Sequence, residues 1–134
     1  MAREVINPQT LHESTRFGFS HVVVSRSPRQ IHCAGQVAWD RNLSLVGRGD
    51  LATQIEQALE NTRLALASAG AGPQDVVRMH TYLVGHRPEN LAILGPALAR
   101  FYGGHPPAAN TVIGVQSLAL PDFLVEIEVT AVID

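Results

Sequence analysis

Glu126 and Glu128 are the residues in this chain best suited to chemistry. They stand two apart in the run FLVEIEVTAVI, Phe123 to Ile133. On a strand, residues two apart share a face. Two carboxylates on one face can do acid and base work, or can simply face water. A similar period occurs in VVRMHTYLV, Val76 to Val84. There Arg78, His80 and Tyr82 share one face, so either carboxylate could also be an interface group paired with Arg78 or His80. His80 is the one histidine that merits a test as a base, against the simpler reading of a satisfied interface histidine.

Other chemistries find little support. No two of the six histidines have HxxxH spacing, and the one cysteine, Cys33 beside His32, gives no repeated ligand spacing, so no metal is expected. Neither a phosphate-cradling glycine loop nor a GxSxG elbow occurs, and no cofactor is expected. Gly70-Ala71-Gly72 reads as a helix stop. The formal charge is −2, which gives no basic footprint for nucleic acid. The start, MAREVINPQT, has no apolar stretch suited to a signal peptide. No segment approaches the roughly 20 apolar residues that span a bilayer. A single cysteine, Cys33, excludes an internal disulfide. A cytoplasmic protein with no membrane partner fits these features. The length of 134 residues suits one domain, 1–134.

The elements that would position these residues follow from periodicity. Residues 1 to about 17 carry no clear period. Phe19 to Ser25 is valine-rich and reads as a strand. A turn at Ser27-Pro28-Arg29 leads to a partner strand, Gln30 to Gly35, as an antiparallel hairpin. Gln36 to Val46 reads as extended, broken at Asp40-Arg41-Asn42. Asp50 is a good N-cap. Leu51, Ile55, Leu59, Thr62, Leu66 and Ala69 then form one helical stripe, with Gln54, Gln57, Glu60 and Arg63 placed mostly outward. In Val76 to Val84, Val77, Met79, Thr81 and Leu83 share the apolar face, and Val76 joins Arg78, His80 and Tyr82. A second helix opens near Pro88, runs toward Tyr102, and should kink or break at Gly95-Pro96. Thr111 to Val115 is a short strand. In the final strand Phe123, Val125, Ile127, Val129, Ala131 and Ile133 face one way. Two amphipathic helices can cover one face of such a sheet.

The run VEIEVTAVI after a Leu-Pro turn, with a Pro-Ala-rich approach to a TxxGV-type strand, resembles the C-terminal signature of the Rid family. That family is also called YjgF, formerly described as L-PSP endoribonucleases. GFSHVVVS at residue 18, CAGQVAWD at 33, the helix from Asp50 and VVRMHTYLV at 76 agree in order and spacing. The resemblance covers nearly the whole chain. It implies an α+β, chorismate-mutase-like fold: a single mixed β-sheet with two α-helices on one face. It also implies a homotrimer in which three sheets pack their second faces around a β-lined core, with small-molecule sites in clefts between subunits. The activity it implies is hydrolysis of reactive enamines or imines to ketones and ammonia.

The resemblance also assigns roles. Glu126 matches the glutamate proposed to position or activate the attacking water. A carboxylate partly buried between subunits can act as acid or base near neutrality. Asn110 stands where deaminase members carry an arginine that grips the substrate carboxylate. A guanidinium matches a carboxylate with two parallel hydrogen bonds, and bonds to charged groups are worth roughly 1.5–3 kcal/mol. Its loss should weaken a carboxylate substrate about 10- to 100-fold unless another cation substitutes. Phe19 stands where the family often has tyrosine, and keeps the ring without the hydroxyl. It is a cleft residue or a core aromatic. Cys33 lies where members place a small residue near the ligand, and is a buried apolar group or a nucleophile. Gly35 allows close backbone approach to a ligand. Thr111 binds ligand or caps its strand. Trp39 lines the cleft mouth or joins the core.

The resulting expectation is a Rid-type hydrolase with atypical substrate choice. A non-catalytic trimeric binder or chaperone-like protein is the alternative. A ribonuclease is disfavoured, since no basic stripe exists to hold phosphates.

Overall fold

The computed structural model describes residues 3–26 and 28–134. Eight strands and helices matter here: β1 (Arg3–Ile6), β2 (Val22–Ser25), β3 (Arg29–Gln36), α1 (Leu51–Ser68), β4 (Val76–Val84), α2 (Leu91–Tyr102), β5 (Ala109–Val115) and β6 (Val125–Ile133). The main sheet is mixed and four-stranded, in the order β3-β6-β4-β5. Only β4–β5 is parallel, because α2 carries the chain back between them. β1 and β2 form a separate antiparallel ribbon.

The period-two strand at the C-terminus is the backbone of this arrangement. β6 lies between β3 and β4, and Val125, Ile127, Val129 and Ala131 are buried on its helix side. Ile55, Leu59 and Leu66 of α1 meet them there, with Leu94, Leu98 and Phe101 of α2. Asp50 caps α1 as its type suggests: its Oδ1 accepts from the Thr53 amide at 3.1 Å and its Oδ2 from the Thr53 hydroxyl at 2.8 Å.

Several local expectations are corrected. Among the described residues no ladder joins β2 to β3. β2 pairs instead with β1, which no period announced, and β3 pairs with β6. The turn expected at Ser27-Pro28-Arg29 lies partly outside the described residues. Val76 belongs to the core, not to the mixed face, because the β4–β6 register shifts between Val76 and Arg78 and reverses the alternation there. Gln54 is fully buried rather than outward. Its amide donates to the carbonyls of Gly47 (3.1 Å) and Asp122 (2.9 Å) and accepts from the Leu124 amide (2.9 Å). A buried amide is tolerable when its hydrogen bonds are made, and these three tie two loops to α1. Pro96 does not break α2, which runs through it to Gly103 in the left-handed region at φ 59°.

The segment after β3 folds back on itself. Trp39 bridges Leu45, and the Val46 amide donates to the Ala38 carbonyl at 2.8 Å. Between them, Asp40 Oδ1 accepts from the amides of Asn42 (2.8 Å) and Ser44 (2.9 Å). This is an Asx-type turn with Arg41 at its apex.

Candidate functional site

Gly35, Trp39 and Glu126 converge on one pocket of about 680 Å³, together with Arg41, Asn61 and Phe123. Asn61 of α1 fixes the pocket wall by donating to the carbonyls of Val37 (2.9 Å) and Trp39 (2.7 Å). The Trp39 ring meets Phe123 edge-on, centroids 5.1 Å apart. Trp39 is half-buried, lines the pocket and rests on the buried Phe123. The β3–β6 register shifts between Cys33 and Gln36, which brings Gly35 against Glu126. A Cβ on Gly35 would lie 1.9 Å from Glu126 Oε2. The carboxylate thus occupies space that only glycine leaves open. Glu126 is half-buried and forms no hydrogen bond or ion pair among the described residues.

Three other candidates lie apart from this pocket. Asn110 pairs with Met79 and turns toward the helix side, where its Oδ1 accepts from the buried Thr81 hydroxyl at 3.2 Å. Thr111 turns to the opposite face and accepts from Arg78 Nη2 at 2.8 Å. The chain at Phe19 is tied to the approach of β5, since the Ser20 amide donates to Ala108 O at 2.8 Å. The Phe19 ring packs edge-on against His12 and His21. Phe19, Asn110 and Thr111 therefore gather near the start of β5. Glu126 pairs with Tyr82, two strands from β5, and shares a face with Tyr82 rather than with Asn110. Within one chain, the Glu126 pocket and the residues near the start of β5 lie apart.

Cys33 pairs with Val129 and packs against the core. Desolvation raises its pKa, which disfavours the thiolate a nucleophile needs.

Along the mixed face runs a polar chain. Arg78 also donates to His80 Nε2 at 3.3 Å, and His80 Nδ1 lies 3.4 Å from Glu128 Oε1. Tyr82 stacks on His80 with centroids 6.2 Å apart and reaches Glu128 at 3.5 Å. Desolvation, then Glu128, pushes the Tyr82 hydroxyl pKa up. Glu128 is thus engaged where Glu126 is free. The two carboxylates therefore stand in different environments, in line with a structural part for Glu128.

Comparison with known proteins gives a consistent result. The family model described as endoribonuclease L-PSP matches residues 11–133. A RutC family protein of Pyrococcus horikoshii is 32% identical over 99 residues, covering 73% of this chain and 75% of the relative. Protein DfrA of Myxococcus xanthus is 30% identical over 115 residues, covering 85% and 84%. Among solved structures, a protein of the conserved Rid family from Yersinia pestis, itself described as of unknown function, is 53% identical with a TM-score of 0.97. That match covers 99% of this chain and 100% of the other. A YjgF family member from Mycobacterium tuberculosis is 27% identical with a TM-score of 0.64, covering 98% and 99%.

Proposed function

Because this chain belongs to the Rid family, also called YjgF, we propose that it hydrolyses a small reactive enamine or imine in a cleft completed by a second copy of itself. The observation that carries this reading is the free Glu126 carboxylate seated over Gly35 in a pocket of about 680 Å³. That volume suits a small metabolite.

The chemistry is simple to balance. An enamine first takes a proton on carbon and becomes an imine or iminium. Water attacks the imine carbon, forming a C–O bond and a carbinolamine. Glu126 takes a proton from that water and returns one to nitrogen. The C–N bond then breaks as the carbinolamine hydroxyl gives up its proton, which balances the one taken up at carbon, leaving a ketone and ammonia. One carboxylate can serve both directions of proton transfer.

A cyclic trimer would supply the second half of the cleft. Glu126 lies two strands from the start of β5 in one chain, and in a trimer a neighbour's β5 would complete the cleft. The exposed Ile113 and Glu128, with the half-buried Arg78 and His80 on the mixed face, suit burial against other copies. Light scattering at micromolar concentration tests this, with a mass of three chains expected and a monomer contradicting it.

Asn110 favours the second reading, a non-catalytic trimeric binder. Its amide oxygen is engaged by Thr81, and it carries no charge with which to grip a carboxylate. Glu126→Gln separates the two. Lost turnover with an unchanged melting temperature supports the enzyme, and ligand-induced melting shifts without turnover support the binder.

A further inference from the structure

We propose that Arg41 supplies the cation of the Glu126 pocket and selects ligands that carry a carboxylate. This rests on the enzyme reading above and specifies its substrate class. Three observations lead to it.

First, Arg41 lines the same pocket as Glu126. Second, its guanidinium makes no hydrogen bond or ion pair among the described residues. Most other arginines of the chain are committed. Arg16, Arg26, Arg48, Arg63 and Arg100 pair with carboxylates, and Arg3 holds the Val76 and Pro106 carbonyls. Third, the backbone of Arg41 is fixed. It sits at the apex of the turn that Asp40 Oδ1 closes on Asn42 and Ser44, and Asn61 anchors the strand leading into that turn.

The pocket therefore presents one unpaired cation and one unpaired anion that do not pair with each other. Asp40, its third charged group, is occupied by its own turn. Separated opposite charges complement a ligand that is itself dipolar. A carboxylate would meet the Arg41 fork through charge-assisted hydrogen bonds, and an iminium nitrogen would meet Glu126. The missing charge at Asn110 would thus be replaced from the other side of the cleft, on a loop rather than a strand.

The test is calorimetric titration of the full-length chain with 2-oxobutyrate and with its uncharged carboxamide, in the wild type, Arg41→Gln and Arg41→Lys. Arg41 is exposed, so the expected preference for the carboxylate is modest, about 10-fold. Arg41→Gln should abolish that preference with the melting temperature unchanged, and Arg41→Lys should retain part of it. Equal affinity of the wild type for both ligands, or binding of neither, overturns the proposal. A preference that survives Arg41→Gln also overturns it. Ammonia release from uncharged imines, measured on the same samples, reports on the enzyme reading separately. Turnover there without carboxylate preference would sink Arg41 alone.

Discussion

Gly35 and Glu126 share one space. A Cβ at residue 35 would meet the Glu126 carboxylate at 1.9 Å. The obstacle is the end of a flexible side chain, so Gly35→Ala should move the carboxylate rather than unfold the sheet. We expect stability within about 1 kcal/mol of wild type and a loss of turnover of about 10-fold or more, since a small misplacement of a catalytic group is costly. Urea unfolding and ammonia release on the same variant check both halves.

Gln54 is a structural counterpart. Gln54→Leu keeps the volume but strands two carbonyls and an amide that the glutamine satisfies. The expected loss is about 2–4 kcal/mol, read as a lower urea midpoint. The loops at Gly47 and Asp122 should show faster amide exchange, because Gln54 ties both to α1.

Acid stability should depend on Asp50. The Thr53 hydroxyl, then the Thr53 amide, holds its carboxyl below the usual carboxylate range. A folded pKa below the unfolded value means stability is present above about pH 4 and falls as pH drops through the folded value. Asp50→Asn keeps a capping oxygen and removes the charge. Its stability should therefore be flatter between about pH 2 and 5, as measured by thermal melts across that range.

Alkaline stability should depend on Tyr102. Burial pushes its hydroxyl up to about 12. With the folded value above the unfolded one, its contribution is complete below about pH 10 and is lost as pH rises toward 12. Tyr102→Phe has no such group and should lose less stability over that window. Melting curves at pH 9 to 11 would show the difference.

Much of the fold was legible because its strongest signals are periodic. The alternation in β6 and the stripe on α1 gave the buried faces of both elements, and Asp50 marked the start of α1. What was illegible depends on contacts distant in sequence. Val76 enters the core through a register shift against β6. Gln54 looks polar in sequence and is buried because three loop groups need it. β1 has only four residues, too few to show a period. Within the site, Glu126 and Gly35 were named from sequence, but their contact depends on the shift in β3. Arg41 was passed over as a turn residue. Its place on the rim of the Glu126 pocket follows only from the way the segment after β3 folds back.

The most direct test of the central claim is ammonia release from imines generated in situ by an amino-acid oxidase, comparing wild type with Glu126→Gln. We expect the wild type to accelerate release clearly over buffer and the variant to lose about 100-fold of that rate, with trimer and melting temperature retained. Release no faster than buffer, or equal turnover by Glu126→Gln, would contradict the account.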